Sequence, residues 1–183
     1  FINRISLKEY QNQYLFFVCS CGDDTGLTQQ VLVKALNDKG LLCHAGFSVT
    51  MPNNYVLLPG FDVDTKELER IKLANAVPRL TEINALISRR EKIFSCHEGS
   101  LPFLKTRIIN PLFKHFYATD SCISCKRCEK VCPVDNVKLQ KGRPVWGKNC
   151  TSCLACYHVC PQQAVQYGKR TRNKGQYFNP DKS

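Results

Sequence analysis

Eight cysteines stand in two copies of one pattern. Cys122, Cys125, Cys128 and Cys132 precede Pro133; Cys150, Cys153, Cys156 and Cys160 precede Pro161, and the second copy follows the first at a constant offset of 28 positions. Each copy reads C-x-x-C-x-x-C-x-x-x-C-P. Thiolate is soft and anionic, and suits the corners of an iron–sulfur cube better than imidazole or carboxylate does. Two residues between ligands let a tight loop offer three sulfurs from one stretch of backbone, with its amide N–H groups aimed at them. Zinc fits less well: structural zinc sites separate two C-x-x-C pairs by a long loop, and a triple run is poor geometry for one tetrahedral ion. Twelve cysteines in all could pair as disulfides. Yet no secretory leader is visible, and clustered C-x-x-C outside a secreted context favours metal. The spacing therefore points to two 4Fe–4S clusters. Every ligand position holds cysteine, so no three-iron variant is expected.

The paired motif resembles that of bacterial two-cluster ferredoxins, in which the fourth cysteine of each run ligates the other cluster. The resemblance implies that one cluster takes Cys122, Cys125, Cys128 and Cys160, and the other Cys150, Cys153, Cys156 and Cys132. Such a crossover would make cluster assembly and folding one event. Proline after each run fixes φ and carries no N–H, so the chain turns away there. The repeat extends to Val137 and Val165, and to Asn136 and Ala164, which supports two half-domains about a pseudo-twofold axis. Between the runs, Asn136–Leu139 and Pro144–Trp146 flank Lys141-Gly142 and read as a β-hairpin. Phe116–Ala118 and Ala164–Tyr167 read as outer strands.

The elements ahead of this module are of another kind. Leu15–Cys19 is a continuous apolar run that suits a strand buried on both faces of a parallel sheet. A polar loop, Cys21 to Gly26, leads to a helix over about Leu27–Asn37, with Val31, Leu32, Ala35 and Leu36 on one face. Lys39-Gly40 ends it, and Leu41–Val49 reads as a second strand, giving a βαβ unit with a right-handed crossover. Asp64 opens a helical pattern to about Arg90 with Leu68, Ile71, Ala74, Val77, Leu80, Ile83 and Ile87 in phase; Pro78 predicts a kink or a break into two helices.

The whole chain resembles a family of anaerobe proteins that fuse a flavodoxin-like half to a two-cluster ferredoxin half. The resemblance rests on Cys21-Gly22-Asp23, on Gly46-Phe47-Ser48-Val49 running to Met51-Pro52-Asn53-Asn54-Tyr55, on Pro144-Val145-Trp146-Gly147-Lys148-Asn149-Cys150, and on Tyr177-Phe178-Asn179-Pro180. It implies an α/β fold followed by a small α+β module: residues 1–95 as the C-terminal part of a flavodoxin-like domain, 96–114 as linker, 115–169 as the dicluster domain and 170–183 as a basic tail. Flavodoxin-like domains open with a strand and a Ser/Thr/Gly-rich loop that holds the FMN phosphate. The sequence has no such loop, so the front of that half is expected to be missing. The family's flavin-contacting loop matches Ser20 to Gly26, which makes Gly22 and Asp23 the FMN candidates; an ordinary strand-to-helix turn is the competing reading. FMN is expected only in a longer form.

Composition sets bounds. Of 183 residues, 43% are apolar, enough for a real core, and the formal net charge is +11. Eight thiolates and two cubanes at 2+ would lower that to about +7, still basic. The excess gathers in Lys126, Arg127 and Lys130 and in Lys169, Arg170, Arg172 and Lys174. A basic surface serves nucleic acid or steers acidic redox partners; no nucleic-acid motif accompanies it, which favours redox protein partners such as acidic flavoproteins. No apolar run approaches the roughly 20 residues of a membrane span, so a soluble, cytoplasmic protein is expected. No residue reads as acid, base or nucleophile. The expected function is one-electron transfer; the alternative is the electron-delivering part of a flavin-dependent reductase. Cys19, Cys21, Cys43 and Cys96 lack ligand spacing and read as small core residues. His158 reads as a solvent-exposed side chain, and Trp146 and Tyr157 as aromatic cover for a cluster's edge.

Overall fold

The first unit is built on a parallel sheet. Strand β1 (Leu15–Cys21) pairs with β2 (Cys43–Thr50), and β2 with the two-residue β3 (Phe94–Ser95), in the order β1-β2-β3. The computed structural model describes residues 6–10, 12–99 and 116–178, so most of the expected linker 96–114 and the last residues of the tail lie outside it. Two units emerge: residues 1–52 with 66–109, and residues 53–65 with 110–183. Helix α1 (Thr28–Asn37) joins β1 to β2, and α2 (Lys66–Ser88) joins β2 to β3. Parallel strands need such crossovers because a tight turn cannot reverse the chain and keep the direction. The register slips by one residue after Leu15, where the Leu15 N–H donates to the His44 ring (3.2 Å) instead of to the ladder. Gly46 lies opposite both Phe17 and Phe94, and a Cβ there would stand 2.5 Å from the Phe17 ring. The missing side chain lets both rings cross the strand.

Four expectations for this unit are corrected. Strand β1 is not buried on both faces: Phe16 and Val18 are 45% and 43% exposed while their neighbours are half-buried. Among the described residues β1 pairs with β2 alone, and its outer pleat has no cover there. On α1, Leu36 is buried with Leu32 and Val33 against Leu41 and Cys43, and Val31 faces solvent. On α2 the apolar stripe marks the buried face only at its end. Leu68, Ile71, Val77 and Leu80 are exposed, whereas Ile83 of the stripe is buried, with Ile87 packed beside it, and so are Lys72 and Ala76, which lie off the stripe. Ala76 and Ile83 pack against Ala45, Phe47 and Val49. The long cations decide the orientation. Lys72 donates to the Gly22 carbonyl (2.7 Å), and Arg79 donates to the carbonyls of Ser48 (3.2 Å) and Ser95 (2.9 Å). They neutralise carbonyl groups at the strand ends, and their apolar stems fill the space beneath. Pro78 sits within one continuous helix from Lys66 to Ser88; of the kink or break expected there, the break into two helices does not occur.

The second unit holds the duplicated motifs. Strand β4 (Phe116–Ala118) pairs antiparallel with β7 (Val165–Tyr167), and β5 (Val137–Gln140) with β6 (Arg143–Trp146). The hairpin turns at Lys141 and Gly142, both with positive φ (48° and 78°), as a two-residue turn matching the strand twist requires. Two single-turn helices, α3 (Arg127–Lys130) and α4 (Ala155–His158), carry the third cysteine of each run. Residues 53–65 pack on this unit. Val56 and Leu57 are 0% and 2% exposed in one core with Val137, Leu154, Tyr157, Val165 and Tyr167. No helix among the described residues is long and apolar enough to cross a membrane.

Candidate metal centre

Each run winds into a loop with left-handed residues at fixed places. Ser124 and Lys126 have φ of 57° and 62°; Ser152 and Leu154, 28 positions on, have 56° and 61°. Non-glycine residues rarely adopt this conformation, which costs on the order of 1–3 kcal/mol each. Alternating right- and left-handed residues turns successive N–H groups to one side and forms an anion-binding hollow, a recurrent arrangement around iron–sulfur sites. Thiol sulfurs already accept such donors: Cys132 from the Asn136 N–H (3.2 Å), Cys160 from the Ala164 N–H (3.2 Å) and Cys150 from the Ser152 N–H (3.4 Å). The first two are again 28 positions apart.

Two cavities lie beside these loops. The first is lined by Cys122, Cys125, Cys128 and Cys160, with Leu139 and Val165 as apolar walls. The second is lined by Cys150, Cys153, Cys156 and Cys132, with Phe116, Val137 and Trp146. Each holds three cysteines of one run and the last of the other.

Electrostatics agree with the need for metal. Burial pushes the Cys156 thiol up to about 12, with the charges of Cys153 and Cys150 adding to it and the Trp146 indole opposing it. Burial likewise raises Cys128, opposed by the backbone amides of Glu129 and Cys128 itself. Without metal these groups stay protonated thiols; iron held by them would supply the positive charge that makes a buried thiolate tolerable. The Trp146 Nε1–H is buried and completes no hydrogen bond, although it lies near enough to Cys156 to favour the thiolate.

Residues 121–165 match the family model of the 4Fe-4S dicluster domain. The chain carries a ferredoxin-like iron–sulfur module. Comparison with curated proteins and with solved structures returned no match.

Around the ferredoxin module, one sequence expectation is reversed. His158 is not exposed; it is 7% accessible. Its Nδ1 accepts the Tyr177 N–H (3.1 Å), which leaves the proton on Nε2 to donate to the Asn54 carbonyl (2.6 Å). Burial lowers its pKa and the Asn54 carbonyl opposes that shift. His158 thus ties residues 53–65 and the segment after β7 to α4. Tyr157 does the same rather than covering a cavity: its hydroxyl donates to the Lys174 carbonyl (2.7 Å). Gly175 takes part because its N–H donates to Asp62 (2.8 Å) and a Cβ there would collide with Val63.

The other candidates fall apart from the module. The Gly22 carbonyl and the Asp23 carboxylate are both held by Lys72 (2.7 and 3.2 Å), so this turn is committed to α2. Thiols of Cys19, Cys21 and Cys43 donate to backbone carbonyls of Phe47, Val49 and Ala45. Burial raises all three, and Cys96 to about 12, which makes them small core residues rather than nucleophiles.

Proposed function

We propose that this chain is a one-electron carrier with two 4Fe–4S clusters, one ligated by Cys122, Cys125, Cys128 and Cys160 and the other by Cys150, Cys153, Cys156 and Cys132. One observation carries the reading: each cavity is lined by three cysteines of its own run and the fourth of the other. The recurrence of backbone conformation, helix and N–H···S contact at an offset of 28 supports a pseudo-twofold relation between the halves. When bound, the clusters supply reversible one-electron chemistry. The protein's part is to hold eight thiolates, aim amide N–H groups at them and keep water from the inner faces. The electrons pass between redox protein partners that the basic surface would attract, acidic flavoproteins among them. Anaerobic reconstitution followed by iron and sulfide assay tests this. About eight of each per chain, with a paramagnetic signal after dithionite, is expected; about four, or zinc, would reject it.

A second reading has its own observation. In the first unit, Ser48, Thr50, Lys72, Asn75, Arg79 and His97 line a polar cavity beyond the carboxyl ends of β2 and β3, where open α/β sheets bind ligands. This favours a flavodoxin-like half that would, in a longer form, hold FMN and make the chain the electron-delivering part of a flavin-dependent reductase. Flavin retained on purification supports that reading, and cluster absorbance alone counts against it.

A further inference from the structure

The two cavities share a backbone but not their donors. Asn136 lines the second cavity and is 9% exposed. Its Oδ1 accepts the Asn149 N–H (2.8 Å), which fixes the amide's orientation, and its Nδ2 is buried without a partner. Gly147 keeps it in place, since a Cβ there would stand 2.8 Å from Oδ1. Trp146 lines the same cavity, stacked on Phe116 at 5.8 Å, with its Nε1–H also buried, completing no hydrogen bond and lying near the Cys156 thiol. A buried donor left unpaired costs free energy, and two beside one cavity call for a common acceptor. A cluster's sulfurs are that acceptor. The repeat removes Asn136 from the first cavity, because the residue 28 positions on is Ala164. Among the described residues no side-chain donor lining the first cavity is both buried and orphaned.

We infer that Asn136 and Trp146 donate N–H···S hydrogen bonds to the cluster of the second cavity and make it the higher-potential cluster of the pair. The inference rests on the two-cluster reading. A cluster gains negative charge on reduction, so donors to its sulfurs stabilise the reduced state more than the oxidised one, and the potential rises. An electron that enters at the first cluster then passes to the second: one electron leaves the first as one enters the second. Cys150 and Cys153 at the second cavity are both exposed, against Cys125 alone at the first, and solvent raises potential in the same direction. Lys126 lines the first cavity and opposes the trend, but it is exposed and its charge is screened.

The test is a redox titration of the reconstituted full chain, monitored by electron paramagnetic resonance, with iron counted on every sample. The wild type should show two one-electron waves. Asn136→Asp keeps the acceptor for Asn149 and removes the donor; Trp146→Phe keeps the stack on Phe116 and removes the indole N–H. Each should lower the upper wave by about tenfold in the reduction equilibrium, 59 mV for one electron, and leave the lower wave in place. With about eight irons bound, coincident waves in the wild type would overturn the inference and spare the two-cluster reading. So would an upper wave that neither variant moves, or two waves that shift together. About four irons and a single wave would overturn both.

Discussion

His158 and Asn54, 104 positions apart, share a hydrogen bond of 2.6 Å. The bond sets a pH dependence. Burial holds the folded-state pKa of His158 below its ordinary value, so the unfolded chain binds a proton, near pH 6.5, that the fold refuses. Stability is fully present above about pH 6.5 and is lost as pH falls below it, down to the folded pKa. Thermal unfolding of the anaerobic holoprotein between pH 8 and pH 5.5 should show this loss. His158→Gln, whose amide can still donate to Asn54, should unfold earlier at pH 8 but lose less on acidification. An unchanged slope in the variant would assign the acid sensitivity elsewhere.

The segment around Leu57 should matter to the ferredoxin module although it precedes the first cysteine run by some sixty positions. Leu57 is 2% exposed in the core with Val137, Leu154 and Val165. Truncating such a side chain costs about 2–5 kcal/mol, the lost transfer term plus a cavity. Leu57→Ala should therefore lower the temperature at which cluster absorbance bleaches, more than the surface control Leu42→Ala, since Leu42 is 62% exposed. Equal bleaching temperatures would show that the segment is dispensable.

What the sequence revealed followed from how local each signal is. Cysteine spacing, the Lys141-Gly142 turn and the β5–β6 pair lie within a few residues of one another, and all appear where the pattern puts them. The parallel β1–β2 pair was legible too, because a strand–helix–strand pattern leaves little choice. Burial was not. Only Ile83 and Ile87 of the α2 stripe reach the core; Leu68, Ile71, Val77 and Leu80 face outward, while Lys72 and Arg79 bond carbonyls at and near the strand ends. His158 read as a solvent-exposed side chain within the second cysteine run, and its partners Asn54 and Tyr177 lie outside that run. Asn136 was read only as a position of the repeat, paired with Ala164, and as the start of a hairpin strand; its role needed the orphaned amide nitrogen and the Asn149 contact.

Double substitutions can separate crossed from uncrossed ligation. With the crossover, Cys122 and Cys160 serve one cluster, and Cys122 and Cys132 serve different ones. Cys122→Ala with Cys160→Ala should then lose no more iron than either alone, about four per chain, whereas Cys122→Ala with Cys132→Ala should lose about eight. Iron assay after anaerobic purification reads the difference, with far-UV circular dichroism of each variant as the check on folding. The reverse pattern would place all four cysteines of a run on one cluster.

Cluster assembly should be proton-limited at Cys156. Its thiol is pushed up to about 12 by burial, so near neutrality it is protonated, and iron must displace that proton to bind. The sign is fixed: raising pH brings the thiol nearer ionisation and speeds incorporation. If one such deprotonation limits the rate, reconstitution should accelerate about tenfold per unit between pH 7 and pH 9. Trp146→Phe removes a group that favours the thiolate and should slow the reaction at every pH without changing the slope. Stripping the iron should reverse the stabilisation. Four left-handed non-glycine residues in the two loops and the buried thiols then lose what offset their cost. The second unit should lose its near-ultraviolet signal while α1 and α2 keep their helical one. A reconstitution rate flat across that pH range would mean that another step, rather than the buried thiol, governs assembly.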